Sequence, residues 1–168
     1  MRVAVTGTPG TGKTTATERL DVGLDVVHLN QALREEGLYD EVDEERDSVV
    51  ADMDAVAEWL GDRDDAVIDS HLAHRFDADR VVVLRCRPEE LERRLRERGE
   101  PPAKARENAE SEALDVILAE AVDRHGEGNV YEVDATDRDP DEVAAAVAAV
   151  VAGERDPSAG TVSYVDYL

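Results

Sequence analysis

A glycine-rich loop near the start of the chain constrains its fold more than any other stretch. It reads GTPGTGKTT at residues 7–15 and follows the short apolar run RVAV, which predicts a buried strand. Glycine permits turns that a Cβ atom would obstruct, and the residues after Lys13 favour a helix reaching Gly23. The order strand, glycine loop, helix is typical of loops that bind phosphate, because successive backbone N–H groups can converge on an anion.

The letters at residues 7–14 match the pattern G-x-x-x-x-G-K-[ST], the P-loop. In this pattern the lysine, here Lys13, reaches the β- and γ-phosphates of a nucleotide, and the hydroxyl of Thr14 binds Mg²⁺. The alternative is a glycine-rich turn with a chance lysine, which the flanking strand and helix argue against. We therefore predict an ATP site formed by Gly10, Thr11, Gly12, Lys13, Thr14 and Thr15.

Strands and helices alternate along the rest of the chain. Apolar runs predict further strands at residues 25–29, 65–70, 80–86 and 129–135. Periodicity and capping signals predict helices at residues 30–37, 51–60, 88–99, 102–126 and 139–153. Residues 38–50 are acidic and aperiodic, which predicts a loop. This alternation favours one α/β domain over residues 1–153, a P-loop NTPase with a five-stranded parallel sheet flanked by helices, and a tail at 154–168 that is either loose or pinned to the surface.

The charge balance is strongly acidic. Asp and Glu number 41 against 19 Lys and Arg, a formal net charge of −22, and the only lysines are Lys13 and Lys104. The acidic residues are spread over segments that also have apolar periodicity, so a folded halophilic protein fits better than a disordered chain. Multimolar salt screens charges within about 3 Å and makes such self-repulsion tolerable. No basic face is available for nucleic acid, so direct DNA binding is not expected.

Other bulk features indicate the compartment. No apolar stretch reaches membrane-spanning length, and the N-terminus leads straight into a strand, so we expect no membrane span and no signal peptide. These features favour the cytoplasm. The single cysteine, Cys86, excludes an intramolecular disulfide and lies in an apolar strand as a small core residue.

Two stretches beyond the P-loop carry candidate site residues. In LNQALREEGLYDEVDEERDS, residues 29–48, Asn30 is the predicted N-cap of a helix that carries Arg34. In DAVIDSHLAH, residues 65–74, a buried strand ends at Asp69, whose carboxylate suits a Mg²⁺ ligand, and His71 follows. The alternatives are a solvated helix charge for Arg34 and a structural role for His71.

A third stretch, ERRLRERGEPPAKARENAESE at residues 92–112, concentrates arginine in an otherwise acidic chain. Arg98 stands directly before Gly99. The spacings of Glu90 with Arg94 and of Glu92 with Arg96 predict exposed ion pairs along a helix. The remaining positive charge favours a local field that attracts anions.

With these stretches the chain resembles nucleoside monophosphate kinases over roughly residues 1–124. The stretch LREEGLYDEVDEERDS and the motif Asp69-x-His71 resemble the adenylate kinase isoenzyme six family more narrowly. The resemblance implies that Arg34 binds the acceptor phosphate and that His71 positions water for hydrolysis. It also implies that Arg98 is the lid arginine that clamps the transferring phosphoryl group, so Arg98 joins the six P-loop residues as a seventh ATP-binding residue. It also implies a monophosphate-binding segment at about 28–51 and a lid at about 99–109. LAHRFDADR departs from the family, because it is shorter and lacks an aromatic-rich segment.

The resemblance implies a reaction in which Mg-ATP and AMP give two ADP, with associated ATPase activity, carried out by a monomer. It also implies a role in late maturation of the small ribosomal subunit and its 16S rRNA. An alternative is an ATPase that acts mainly as an assembly factor and transiently binds a small-subunit ribosomal protein. Another P-loop kinase of a small molecule, such as a sugar acid, is a further alternative, against which Arg34 argues.

Overall fold

The computed structural model describes residues 1–45 and 48–168. Parallel strands form the main sheet, and their bounds are β1 (Arg2–Gly7), β2 (Asp25–His28), β5 (Ala66–Asp69), β6 (Arg80–Arg85) and β7 (Val130–Asp134). Their order across the sheet is β2-β5-β1-β6-β7, so the strand that leads into the P-loop is central. The prediction of a five-stranded parallel sheet is confirmed.

Helices cover both faces of this sheet. Their bounds are α1 (Lys13–Thr17), α2 (Leu29–Glu35), α3 (Met53–Leu60), α4 (Pro88–Glu97), α5 (Pro102–Ala113), α6 (Val116–His125) and α7 (Pro140–Val151). Short 3₁₀ turns lie at Ala73–Arg75, Glu127–Asn129 and Val165–Tyr167. Among the described residues, no helix is long and apolar enough to cross a membrane.

The core has two layers because successive strand residues point to opposite faces of the sheet. In β1, Ala4 packs with residues of α2, α3 and α6, including Leu33, Val56 and Leu118. Val3 and Val5 pack on the other face with residues of α1 and α7, including Ala16, Val143 and Val147. Both faces of the central strand are therefore buried, as expected for a parallel sheet between helices.

The predicted loop at residues 38–50 is wrong for most of its length. An antiparallel hairpin forms there from β3 (Tyr39–Asp43) and β4 (Ser48–Ala51), with Val42 opposite Val49. Both faces of β3 are largely solvated, so the strand lacks the alternation that reveals a half-buried strand. Residues 46 and 47, within the predicted monophosphate-binding segment, lie outside the described residues.

The predicted helix over 102–126 is also wrong as a single element. It ends after α5 and restarts as α6, with Asp115 between them in the left-handed region at φ 57°. The carboxylate of Asp115 accepts a hydrogen bond from the buried guanidinium of Arg85. This contact turns the chain and separates two helices whose apolar spacing is nearly continuous.

Two other boundaries differ from the sequence prediction. The P-loop helix α1 ends at Thr17 rather than near Gly23. His28, rather than Asn30, is the N-cap of α2, and Asn30 lies inside the helix, where its side chain accepts a hydrogen bond from Ser70 at 2.8 Å. Asn30 does not cap the helix, because its side chain bonds with Ser70, which is 40 positions away in the sequence.

Candidate functional site

The P-loop leaves the carboxyl end of the central strand and needs glycine there. A Cβ atom on Gly7 would lie 2.7 Å from the carbonyl oxygen of Leu84 on neighbouring β6. The first helical bond of α1 joins the N–H of Ala16 to the carbonyl of Gly12 at 3.0 Å. The N–H groups of the helix's first turn come before that bond and have no helical acceptor, so they can donate to phosphate.

Lys13 points back into the loop. Its Nζ donates to the carbonyl oxygens of Gly7 at 2.9 Å and Thr8 at 3.2 Å. Burial lowers the pKa of Lys13 to about 8, although the charges of Asp69 and Glu112 act in the opposite direction. The ammonium is thus held inside the loop, where a phosphate group would replace carbonyl oxygens as its partner.

Asp69 ends β5 beside the P-loop and is almost fully buried. Its Oδ2 accepts hydrogen bonds from the hydroxyl of Thr17 and from Nδ1 of His28, the latter at 2.7 Å. The Thr14 side chain is exposed at the start of α1. A hydroxyl and a carboxylate suit Mg²⁺, which prefers oxygen ligands and takes few of them from the protein when phosphates are present.

A first cavity of about 480 Å³ lies on the outer side of the P-loop. Its walls are formed by the P-loop, α4, the start of α7 and the segment after β7. The lining residues include Gly10, Thr11, Gly12, Thr15, Arg94, Arg98, Ala135 and Arg138. Five of the seven predicted ATP-binding residues, Arg98 among them, therefore share one cavity with the guanidinium groups of Arg94 and Arg138.

A second cavity of about 450 Å³ lies between the P-loop, α5, α6 and the hairpin. Its positive side chains are Arg75, Arg98 and Lys104, and its carboxylates are Glu100 and Glu120. Lys104 pairs with Glu100 at 3.0 Å and Arg75 with Glu120 at 3.5 Å. Three cations against two carboxylates leave the lining with one net positive charge, which favours an anion.

His71 also lines the second cavity. Burial, together with the nearby positive charges of Lys13 and Arg75, lowers its pKa to about 4. The imidazole is therefore neutral near pH 7 and offers one ring nitrogen as a hydrogen-bond acceptor.

Arg98 is common to both cavities, whereas Arg34 lines neither within the part of the chain described. Arg98 caps the C-terminal end of α4, and its charge helps lower the pKa of Lys13. Arg34 lies exposed on α2. The structure thus brings Lys13, Asp69, His71 and Arg98 towards one region and leaves Arg34 at the surface.

Both predicted ion pairs along α4 are present, but the pair of Arg94 with Glu90 is part-buried rather than exposed, with side chains 27% and 13% exposed. Arg94 contacts Glu90 at 2.7 Å, and Arg96 contacts Glu92 at 2.8 Å. Arg94 also donates to the carbonyl oxygen of Gly10 at 3.4 Å, so it contributes to the first cavity as well as to the helix surface.

Sequence reasoning missed two residues that support the site. His28 stands opposite Asp69 in the register of two neighbouring strands, and the matching ends of DVVH and AVID could have revealed the pair. Glu112 is buried and accepts hydrogen bonds from the hydroxyl of Thr8, at 3.2 Å, and from the guanidinium of Arg85. No local sequence pattern indicates a role for Glu112, because its partners come from distant parts of the chain.

Comparison with known proteins agrees with this geometry. A family model described as "AAA domain" matches residues 3–115. A protein of Natronomonas pharaonis named "Putative adenylate kinase" is 64% identical over 168 residues, which cover 100% of both chains. A protein of Methanocaldococcus jannaschii with the same name is 35% identical over 177 residues, covering 100% of this chain and 97% of the relative.

Among solved structures, a shikimate kinase from Bacteroides thetaiotaomicron is similar to this chain with a TM-score of 0.60. The similarity covers 90% of this chain and 98% of the kinase at 15% sequence identity, so it shows a shared fold. The full-length relatives show that the chain belongs to the family of P-loop proteins whose archaeal members carry the name "Putative adenylate kinase".

Proposed function

We propose that the protein is an adenylate kinase that transfers the γ-phosphoryl group of Mg-ATP to AMP and gives two ADP. Two cavities of similar volume on either side of one P-loop, with Arg98 common to both, are the observation that carries this proposal. In the proposal the first cavity takes the donor nucleotide and the second takes the acceptor. The names of the full-length relatives support the same reaction.

The chemistry requires charge stabilisation rather than a general base. The attacking atom is an oxygen of the acceptor phosphate, which is already anionic. Lys13 and the P-loop amides would hold the β- and γ-phosphates of the donor, while Arg98 would follow the phosphoryl group from one cavity to the other. Arg34 would bind the acceptor phosphate, although it lies at the surface here, so this role requires Arg34 to approach the second cavity.

Magnesium fits the residues at the end of β5 and the start of α1. The hydroxyl of Thr14 and the carboxylate of Asp69 would hold it, and when bound it would neutralise charge on the β- and γ-phosphates. Two donors occupy Oδ2 of Asp69, from Thr17 and His28, and so fix how the carboxylate is turned.

Hydrolysis of ATP is the second proposed activity, and His71 supports it. A neutral imidazole in the second cavity can accept a hydrogen bond from water and orient it, whereas an anionic acceptor phosphate needs no such partner. An ATPase is the second candidate function, and the resemblance of the motif Asp69-x-His71 to the adenylate kinase isoenzyme six family adds a role in late maturation of the small ribosomal subunit. The net charge of −22 suits a basic tail of a ribosomal protein as its transient partner.

We propose that the protein acts as a monomer. ATP and AMP meet in the cytoplasm, where we place the reaction.

A bisubstrate compound, two adenosines joined by five phosphates, tests the proposal. It should compete with ATP and with AMP, because it would occupy both cavities across Arg98. If the compound competes with ATP but not with AMP, only the donor site is supported, and this result favours the ATPase. Phosphorylation of a sugar acid in place of AMP would favour the remaining alternative.

A further inference from the structure

The C-terminal tail is pinned along β7. The N–H groups of Gly160 and Thr161 donate to the buried carboxylate of Glu132, the latter at 3.1 Å. The backbone N–H of Glu132 in turn donates to the hydroxyl of Ser158 at 3.0 Å. Residues 158–161 are therefore fixed on the strand that leads into the first cavity.

Farther along the tail, the hydroxyl of Tyr164 reaches the end of β7. It donates to Oδ2 of Asp134 and lies 3.2 Å from the hydroxyl oxygen of Thr136. The other oxygen of Asp134 accepts the N–H of Thr136 at 3.0 Å. The guanidinium of Arg85 lies 5.9 Å from the centre of the Tyr164 ring. The hydroxyl of Tyr164 thus completes a hydrogen-bonded turn with Asp134 and Thr136, while its ring faces the guanidinium of Arg85.

This turn begins the segment that lines the first cavity. Ala135 and Arg138 are lining residues, and the N–H of Ala135 donates to the carbonyl oxygen of Arg85 at 2.7 Å. Asp137, between them, has a left-handed backbone with φ 56°. A segment in this conformation depends on its supports, because side chains other than glycine rarely adopt positive φ.

We propose that Tyr164 is a positioning residue for the donor nucleotide, and that the tail therefore forms part of the support of the first cavity. This inference rests on the proposed function, in which that cavity takes ATP. Tyr164 does not touch the cavity itself, but its hydroxyl holds Asp134 and Thr136 in place, and these residues fix the position of Ala135 and Arg138.

The hydroxyl stays a donor over the working pH range. Burial and the neighbouring Asp134 carboxylate raise the pKa of Tyr164 to about 12. The hydroxyl therefore keeps its proton up to strongly alkaline pH, and its removal by mutation is the cleanest way to break the hydrogen bond to Asp134.

The test compares Tyr164→Phe with Tyr167→Phe. Both changes remove one tail hydroxyl, but that of Tyr167 donates to Glu92 on α4 at 3.1 Å, and neither residue lines the first cavity. Binding of ATP and of AMP to the folded protein is measured separately by calorimetry, and kcat and both KM values are measured in the same salt. Thermal unfolding of each variant is followed alongside.

We expect Tyr164→Phe to raise the Kd and KM for ATP about three- to tenfold, since a hydrogen bond to a charged group is worth more than a neutral one. Binding of AMP and kcat at saturation should stay within about twofold, and Tyr167→Phe should match the wild type. Thr136→Val, which removes the second hydroxyl of the turn, should reproduce the ATP-specific shift.

An unchanged Kd for ATP, or an equal rise in Tyr167→Phe, overturns the inference. A shift confined to AMP also overturns it, because the first cavity would then be the acceptor site. Failure of the proposed function is distinguishable, because it appears in the wild type as binding of ATP without AMP-dependent formation of ADP.

Discussion

Nδ1 of His28 lies 2.7 Å from Oδ2 of Asp69, across the paired carboxyl ends of β2 and β5. The hydroxyl of Thr17 donates to the same oxygen. Two donors on one oxygen fix the rotation of the carboxylate that we assign to magnesium. We therefore expect the affinity of the proposed site for magnesium to depend on His28, although His28 need not contact the metal or the nucleotide.

We predict that His28→Ala raises the Mg²⁺ concentration needed for half-maximal activity about three- to tenfold, since it frees Asp69 to rotate. His28→Asn should stay near the wild type, because the amide nitrogen of asparagine can replace Nδ1 as donor. Binding of Mn²⁺ in the presence of ADP, followed by electron paramagnetic resonance, gives a readout apart from activity. Equal metal binding by all three proteins would refute the role of His28.

Removal of Lys13 should abolish both activities. Lys13→Ala eliminates the ammonium held at the loop carbonyls, and both phosphoryl transfer and hydrolysis need the γ-phosphate in place. We expect each rate to fall at least about a hundredfold, as when a charged contact worth about 3 kcal/mol is lost. Wild-type rates in Lys13→Ala for either activity would show that the P-loop is wrongly assigned.

The pKa of Lys13 predicts an alkaline limit. Because burial lowers this pKa to about 8, the side chain of the free protein loses its proton as the pH rises through 8, and its attraction for phosphate falls. The value of kcat/KM for ATP should therefore decline above pH 8, while kcat holds to higher pH because bound phosphate favours the charged amine. A flat kcat/KM from pH 7 to 9.5 would contradict this.

His71 and Arg34 should separate hydrolysis from transfer. His71→Ala should lower ATP hydrolysis and mostly keep transfer to AMP, because only water needs to give up a proton. Arg34→Ala should raise the KM for AMP or lower transfer roughly ten- to hundredfold, the expected effect of losing a charge-assisted phosphate contact. Both are assayed at one salt concentration.

Lys104→Met is the comparator for Arg34→Ala, since Lys104 lines the second cavity and Arg34 does not. If only Lys104→Met weakens the binding of AMP, the wall of the second cavity binds the acceptor phosphate and Arg34 has no role in binding it. Equal losses of hydrolysis and transfer in His71→Ala and Arg34→Ala would end the proposed division of labour.

The fold was predictable where the sequence pattern is local. The glycine pattern predicts the P-loop, and the apolar runs predict the parallel strands. Pro88 and Gly99 predict where α4 begins and ends. The hairpin at β3 and β4 was not predictable in this way, because solvent on both faces of β3 removes the period of two from that strand. The break at Asp115 was missed because it depends on Arg85, which is 30 positions away in the sequence.

The residues of the candidate site also fall into those that a local sequence pattern predicts and those that it does not. Lys13, Thr14 and Asp69 stand in motifs whose spacing carries the chemistry, and His71 follows one of them. Glu112 and Tyr164 support the P-loop and the segment after β7 through contacts that only the fold creates. Residues that act through another residue leave no short pattern, so the sequence did not reveal them.

The acidic surface predicts salt-dependent stability. With a net charge of −22, self-repulsion weakens the fold at low ionic strength, and screening relieves it. The free energy of unfolding, measured by circular dichroism, should rise as KCl increases from tenths molar to multimolar. A stability that does not depend on salt would contradict adaptation to a salty interior.

Formation of ADP from Mg-ATP, with and without AMP, tests the central proposal most directly. The reaction is followed by ³¹P nuclear magnetic resonance in multimolar KCl, which resolves ATP, ADP, AMP and inorganic phosphate. We predict two ADP for each AMP consumed and little inorganic phosphate while AMP lasts. Phosphate released at a rate that AMP does not alter, with AMP left unchanged, would contradict the assignment of two nucleotide sites and leave an ATPase.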